Sequence, residues 1–138
     1  MAMIIDSSVF ITMERRGLPT SVMPLIIPPK EGLAMAAISV SEMLFGAYRD
    51  ESLERRRRKE TFLDAILEAI PVLSFDLRVA RAHARLAADL TSGGQKIGAN
   101  DLLIAATALA WEAAVLTDNL REFGRVPGLE VRKPEWPR

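Results

Sequence analysis

Cysteine is absent from this chain of 138 residues, and histidine occurs only once. The lack of cysteine excludes a disulfide framework and a thiolate zinc site. The single histidine, His83, falls on the apolar stripe of a helical pattern together with Val79 and Leu86, which favours a partly buried structural role over a general base. This composition argues against zinc enzymes and against hydrolases that use a serine–histidine–aspartate triad.

Strong net charge and long apolar runs are missing as well. The chain has 18 basic and 18 acidic residues, so no overall field attracts phosphate backbones, and any nucleic acid must be bound locally. No stretch approaches the ~20 apolar residues of a membrane helix, and the start MAMIIDSS lacks the basic region and apolar core of a secretory signal. We therefore expect a cytoplasmic protein.

Apolar runs alternate with helical patterns along the chain. Strand-like runs lie at residues 3–5, 34–38, 72–75, 114–117 and, at one edge, 129–131. A short helical pattern follows residue 6, and others cover residues 39–48, 52–70, 76–90, 101–111 and 120–123. Because such alternation requires a parallel sheet covered on both faces, we predict a single α/β domain, a three-layer α/β/α sandwich with a mainly parallel sheet. Prolines allow at most one short helix over 18–32, and residues 132–138 form a short C-terminal tail.

Four acids lie where strands end or helices begin: Asp6, Glu42, Asp101 and Asp118. The carboxyl ends of parallel strands open onto one edge of the sheet, so the fold can bring these acids together. Each acid alone is also a normal helix cap, and Ser39 with Glu42 matches a capping box. Taken together they are more informative, because like charges on one edge repel unless a cation binds between them.

Magnesium or manganese is the natural cation for such a cluster. Mg²⁺ prefers oxygen ligands and binds one or two carboxylates together with water and substrate phosphate oxygens. A site of this kind activates water and neutralises phosphate charge without histidine or cysteine. The acids therefore indicate metal-dependent hydrolysis of a phosphodiester.

The segments around these acids resemble a known family. In order and spacing, they resemble the four signature segments of PIN-domain ribonucleases, most closely the VapC-type toxins of toxin–antitoxin pairs. The four segments of this chain are IIDSSVFI, ISVSEMLFGAYR, IGANDLLIAATAL and VLTDNLREFGRVPGLEV. The resemblance implies a five-stranded parallel sheet, an Mg²⁺ or Mn²⁺ site, endonucleolytic cleavage of RNA, a homodimer, and neutralisation by a cognate antitoxin protein.

The same resemblance implies roles for particular residues. Asp6, Glu42 and Asp101 match the metal-binding and catalytic acids of the family. Where many relatives have a fourth acid, this chain has Asn119, which is an auxiliary candidate. Asp118 is the candidate fourth catalytic and metal-binding acid; the alternatives are that it points elsewhere or that the site has three acids.

Two hydroxyls also match positions near the family's site. At Ser8 and Thr117 a hydroxyl either orients an acid or a metal-bound water, or simply caps a helix. These two residues are therefore auxiliary candidates.

Several other features have a plainer interpretation. The basic segment at residues 54–60 is expected to be a solvated helix with i, i+4 ion pairs between Glu54 and Arg58 and between Arg56 and Glu60. The stripe formed by Arg78, Arg81 and Arg85 is a weaker candidate for contact with RNA phosphates or with a partner's acids. Asp76 is expected to cap a helix. Aromatic residues make up only 6% of the chain, so base stacking by its two tryptophans has little support.

Two alternatives from other classes remain open. A phosphoacceptor signalling domain also gathers acids at the edge of a parallel sheet, but it needs adjacent acids after the first strand, where this chain has Asp6 followed by two serines. The other alternative keeps the fold without catalysis, as a weak or inactive partner that binds an antitoxin.

Overall fold

Five strands and seven helices make up the structure, a computed structural model that describes residues 2–27 and 32–137. The strands are β1 (Ala2–Ile5), β2 (Gly32–Ala36), β3 (Val72–Leu73), β4 (Ala114–Leu116) and β5 (Val131–Arg132). The helices are α1 (Ser7–Arg15), α2 (Met23–Ile26), α3 (Ala37–Tyr48), α4 (Leu53–Ala69), α5 (Leu77–Ser92), α6 (Ala99–Ala110) and α7 (Leu120–Phe123), and a 3-10 turn at Thr20–Val22 leads into α2. Part of the proline-rich stretch at 18–32 lies outside the described residues.

The strands form one parallel sheet with β1 at its centre. The order is β3-β2-β1-β4-β5, and every neighbouring pair is parallel. In the centre, Met3 is opposite Leu33 of β2 and Ala114 of β4. The carboxyl ends of all five strands therefore lie along one edge of the sheet.

Alternate side chains of β1 enter two separate cores. Met3 and Ile5 pack on one face with α1, α2 and α4, whereas Ile4 packs on the other face with α5, α6 and α7. Successive side chains of a strand point to opposite faces, so a strand buried on both sides is apolar throughout. The predicted three-layer α/β/α sandwich is confirmed. Within residues 2–27 and 32–137, no helix combines the length and apolarity needed to cross a membrane.

Two helices begin earlier than the sequence pattern predicted. The strand expected at 34–38 ends at Ala36, and α3 starts directly at Ala37. Ser39 is therefore inside the first turn, where its buried hydroxyl makes no hydrogen bond, and the predicted capping box with Glu42 is wrong. Likewise α6 starts at Ala99, so Asp101 lies within its first turn instead of opening it.

Strand ends also shift by a few residues at the sheet's edges. β3 stops at Leu73, short of the predicted end at residue 75, and Phe75 is exposed. The last strand is displaced from the predicted 129–131 to Val131–Arg132, where Val131 is opposite Val115. Edge strands with one neighbour are less constrained by pairing, which is why short apolar runs predict them poorly.

The turn between α3 and α4 is held by a buried acid, Asp50. Its side chain is only 8% exposed and binds Arg55 and Lys59, each at 3.0 Å. Arg56 donates to the carbonyl oxygens of Tyr48 and Asp50. The i, i+4 ion pairs predicted within this helix are wrong for the residues that the structure describes: Arg56 binds backbone carbonyl oxygens instead, and Glu54 and Arg58 form no ion pair there.

The C-terminal tail returns to α1 and α2. The Glu135 N–H donates to the Ile26 carbonyl oxygen at 3.2 Å, and the Arg16 guanidinium donates to the Pro137 carbonyl oxygen at 2.8 Å. Arg16 also lies over the ring of Trp136, 5.4 Å from its centroid. These contacts bring the indole of Trp136 to the edge of the sheet where the strands end.

Replacement of Asp50 by asparagine is expected to destabilise the protein in a pH-dependent way. Hydrogen bonds from Arg55 and then from Lys59 hold the pKa of Asp50 well below its ordinary value. The carboxylate therefore stabilises the fold above about pH 4, and this contribution is lost as the pH falls towards the lowered pKa. Urea unfolding of wild type and Asp50→Asn should differ most at pH 7 and progressively less below about pH 4.

Asp64 provides the matched control, because it is an exposed acid on α4. Asp64→Asn should leave the unfolding midpoint close to that of the wild type at every pH. Equal midpoints for wild type and Asp50→Asn at pH 7 would contradict the prediction.

Candidate active site

Asp6 lies at the junction of the two central strands. Its N–H donates to the Leu116 carbonyl oxygen at 2.9 Å, which continues the pairing of β1 with β4. Oδ2 of Asp6 accepts hydrogen bonds from Ser8 Oγ at 2.7 Å and from Thr117 Oγ1 at 2.8 Å. No side chain of the described residues donates to Oδ1. The carboxylate is 4% exposed, so two hydroxyls hold one oxygen and leave the other available for a ligand.

Glu42 comes to the same place from the second turn of α3. Its Oε1 accepts a hydrogen bond from Ser7 Oγ at 2.9 Å, and its Oε2 accepts one from Asn100 Nδ2 at 3.2 Å. Ser7 and Asn100 belong to α1 and α6. The glutamate therefore connects three helices above the ends of the strands.

Asp101 is the acid of this site whose pKa is raised by its surroundings. Burial, followed by the negative charges of Asp6, Glu122 and Glu42, raises the pKa of Asp101 to about 6. The only hydrogen bond that its carboxylate accepts within the described residues is a long one, from Asn119 Nδ2 at 3.5 Å. Burial disfavours the ionised carboxylate, and the three neighbouring acids add to this effect, so Asp101 is close enough to them to be influenced by their charges.

Helix capping does not explain these acids. The residues that precede α1, α3, α6 and α7 are Asp6, Ala36, Gly98 and Asn119, and none of them makes a side-chain capping hydrogen bond. Asp76, in contrast, accepts from the Val79 N–H at 3.0 Å, which confirms its predicted role as a cap. The acids of the site bind hydroxyl and amide side chains instead.

Asp118 and Asn119 point in different directions. Asp118 is exposed, and its Oδ1 accepts a hydrogen bond from Trp136 Nε1 at 2.8 Å while its Oδ2 accepts one from Thr12 Oγ1 at 3.3 Å. Asn119 faces Asp101. The structure thus brings together three of the four predicted acids and turns the fourth, Asp118, towards α1 and the tail.

Three residues at the site were not predicted from the sequence. Glu122 accepts a hydrogen bond from the Gly98 N–H at 2.7 Å, approaches Arg125 at 3.6 Å, and contributes to the raised pKa of Asp101. The sequence pointed to Glu122 only through its place in the segment VLTDNLREFGRVPGLEV. Ser7 and Asn100 are each adjacent to a predicted acid. His83 behaves as expected: it is half-buried and lies edge-on to Phe75, with ring centroids 5.8 Å apart.

The oxygen atoms at this site are suitable ligands for a hard cation that also keeps bound water. Carboxylate, hydroxyl and amide oxygens are the ligands of Mg²⁺, which keeps several waters and takes few carboxylates. Within the described ranges no group of three acids or histidines is arranged to hold a metal ion by itself. Among the described residues, the acids are close enough to influence the pKa of Asp101 but do not by themselves form a complete set of metal ligands.

Comparisons with known proteins agree with this geometry. Residues 3–129 match the family model described as the PIN domain. The chain is 32% identical over 132 residues to Ribonuclease VapC1 of Rickettsia felis and 30% identical over 131 residues to Ribonuclease VapC of Rickettsia bellii, with 95% of both chains covered in each case.

A solved structure shows the same architecture. It is the crystal structure of VapBC2 from Rickettsia felis bound to a DNA fragment from their promoter, whose matched chain has a TM-score of 0.83 and 26% identity. The match covers 99% of this chain and 100% of that chain. With the family model, the two relatives and the fold in agreement, this chain belongs to the PIN-domain family, among its VapC-type members.

Proposed function

We propose that this protein is a metal-dependent endoribonuclease that hydrolyses RNA phosphodiester bonds and acts as a toxin neutralised by a cognate antitoxin. The observation that carries the proposal is the position of Asp6, Glu42 and Asp101 at the carboxyl ends of the central strands, where side-chain hydrogen bonds orient Asp6 and Glu42 and the charges of both raise the pKa of Asp101. RNA as the substrate is supported by the VapC relatives, which are named ribonucleases. An antitoxin partner is supported by the similar VapBC2 structure.

The three acids Asp6, Glu42 and Asp101 would hold Mg²⁺, with Mn²⁺ as the alternative ion. When bound, such an ion lowers the pKa of a coordinated water and neutralises charge on the phosphate. The chain's own contribution is orientation, since Ser8 and Thr117 fix one oxygen of Asp6 and leave the other free. Such hydroxyls act as outer-shell groups, whose loss typically lowers metal affinity or activity about 10–100-fold.

The same proposal includes the setting of the enzyme. A homodimer in the cytoplasm, with the antitoxin as its protein partner, is the assembly that the family resemblance implies. The acids Asp6, Glu42 and Asp101 all belong to one chain.

A second candidate function is an inactive PIN-fold protein that only binds an antitoxin. Two observations favour it: no described group of three acids is arranged to hold a metal, and Asp118 is bound to Thr12 and Trp136. The cleavage experiment below separates the two functions, because the inactive partner would not cut RNA with any cation.

Asp6→Asn should abolish cleavage of single-stranded RNA while leaving the fold intact. An asparagine oxygen still accepts the hydrogen bonds of Ser8 and Thr117, but its neutral amide no longer attracts a cation. The rate measured with Mg²⁺ or Mn²⁺ should fall by more than the roughly 100-fold that loss of an outer-shell group reaches. EDTA should abolish cleavage by the wild type, and thermal unfolding should show a folded variant.

The matched control is Asp89→Asn, which removes the same charge from an exposed position on α5. Its cleavage rate should equal that of the wild type. Full activity of Asp6→Asn, or of the wild type in EDTA, would overturn the proposed function.

Asp101→Asn should stabilise the metal-free protein at neutral pH. The ionised carboxylate is disfavoured in the folded state, where its pKa is about 6, and is unperturbed at about 3.9 after unfolding. The advantage of the variant should therefore be largest above pH 7, shrink as the pH falls through 6, and vanish below about pH 4. Melting curves of the two proteins in EDTA at pH 4 and 7.5 measure this difference in stability.

With Mg²⁺ bound, the wild type should become more stable than Asp101→Asn. An ion that binds only the folded state adds about 2.7 kcal/mol of stability at 100 times its Kd. The wild type should gain this stability, whereas Asp101→Asn should gain less or none. Identical melting temperatures of the two proteins in EDTA at pH 7.5 would show that the acids do not share one charged region.

Asn119→Ala should reduce cleavage more than Asp118→Asn does. We propose that Asn119, whose side chain faces Asp101, completes the site, whereas Asp118 anchors the tail through Trp136. Loss of Asn119 should lower the rate and the Mg²⁺ affinity by about 10–100-fold, as for other outer-shell groups. Asp118→Asn keeps an oxygen for the indole and should cut RNA at nearly the rate of the wild type.

Cleavage rates and calorimetric Mg²⁺ titration of both variants make the comparison. A larger loss in Asp118→Asn than in Asn119→Ala would establish Asp118 as the fourth acid, as the sequence pattern predicted.

A further inference from the structure

A large groove adjoins the acidic cluster. It has a volume of about 1110 Å³ and runs between α1, α3 and α4, with Glu42 and Asn100 among its lining residues. Pockets for small ligands usually occupy about 300–1,000 Å³. A groove of this size that opens beside the site has room for an extended polymer as well as for the group that reacts.

The groove has both apolar and charged lining residues, among them Ile11, Met43, Phe62 and Glu14, and three of its arginines have no acidic partner within the described part of the chain. Arg15, Arg49 and Arg58 are exposed and line the groove, and no acid of the described residues forms an ion pair with them. The two other cations of the lining, Arg55 and Lys59, are both bound to Asp50. Three guanidinium groups therefore remain available to an anionic ligand, although the molecule as a whole has no net charge.

One face of α3 connects the acidic site with these cations. Glu42 and Phe45 are three residues apart, and Arg49, the residue directly after α3, follows Phe45 by four in helical conformation, so all three lie on one side. Phe45 is 64% exposed, and the Arg49 guanidinium lies 5.4 Å from its ring centroid. A side chain at Gly46 would meet nothing within 4 Å, so the surface beside the phenyl ring is open.

We propose that this groove, defined by Arg15, Phe45, Arg49 and Arg58, binds the single-stranded RNA segment next to the scissile phosphodiester. The three arginines contact phosphates, and Phe45 stacks on a base. The inference rests on the proposed function, since it assigns the path of the substrate to a site that is proposed to cut RNA. RNA is favoured over a peptide because free guanidinium groups beside an exposed aromatic ring match alternating phosphates and bases.

Salt-dependent RNA binding tests the arginines. A fluorescent single-stranded RNA of about ten nucleotides is titrated in EDTA, which prevents cleavage, at 0.1–1 M salt. In Arg49→Gln/Arg58→Gln the slope of log affinity against log salt should fall by about 1.4, since each phosphate contact contributes about 0.7. Affinity should then be about 25-fold weaker than wild type at 0.1 M salt and converge with it near 1 M.

A matched control removes the same charge elsewhere. Arg81 and Arg85 are exposed on α5, which packs on the opposite face of the sheet from α1 and α4. Arg81→Gln/Arg85→Gln should bind RNA as the wild type does. Equal losses in the two double variants, or a larger loss in the control, would overturn the proposal, because they would show general attraction or binding by the α5 stripe.

Phe45 is tested by a salt-independent readout. Stacking of a base on an aromatic ring stabilises the complex, so Phe45→Ala should weaken RNA binding by roughly 5- to 150-fold at every salt concentration. Phe45→Tyr keeps the ring and should bind as the wild type does. Unchanged binding by Phe45→Ala would overturn the stacking part of the proposal.

The experiment also separates this inference from the proposed function. If the wild type cuts RNA and the groove variants cut and bind it equally well, the groove is not the RNA path while the nuclease assignment stands. If those variants instead lose binding of a partner protein only, the groove is a protein-docking surface and the proposal is overturned. If the wild type neither binds nor cuts RNA, both proposals fail.

Discussion

The parallel pairing of β1 with β2 and β4 is the constraint on which the site depends. It places the end of β1 beside the end of β4, where the Asp6 N–H binds the Leu116 carbonyl oxygen at 2.9 Å. Because Thr117 follows β4 directly, its hydroxyl reaches the Asp6 carboxylate at 2.8 Å. A register shift of one residue would turn every side chain of β1 to the other face and separate these groups. The apolar packing of both faces of β1 therefore determines where a carboxylate is held.

The same arrangement works against stability. A pKa of about 6 for Asp101 means that its ionised form is disfavoured in the folded protein at neutral pH. Ser7, Ser8, Thr117 and Asn100 donate hydrogen bonds to neighbouring acids, but neutral donors only partly offset repulsion between like charges. The protein retains an unfavourable cluster of charge that a divalent cation would relieve, which is the pattern expected where stability is traded for function.

Local sequence signals predicted the fold and the convergence of Asp6, Glu42 and Asp101 at one edge of the sheet, but not the contacts made by distant residues. The apolar run ending at Asp6 and the helical spacing around Glu42 and Asp101 depend on neighbours in the chain, so both were predictable. Asp118 was not, because its direction depends on Trp136, which the returning tail brings to it. The expected ion pairs of α4 failed for a similar reason, since Arg56 instead binds the carbonyl oxygens of Tyr48 and Asp50, at the end of α3 and in the turn after it.

Net charge hides a separation of charge that the fold creates. The sequence has equal numbers of acidic and basic residues, yet the structure gathers Asp6, Glu42 and Asp101 at the strand ends and leaves Arg15, Arg49 and Arg58 along the adjoining groove. Phosphate contacts orient a nucleic acid without reading its sequence. An arginine groove that adjoins an acidic cluster would therefore orient a bound RNA chain relative to the acids without selecting its sequence, so local charge, not composition, is what suits the protein to the substrate proposed for it.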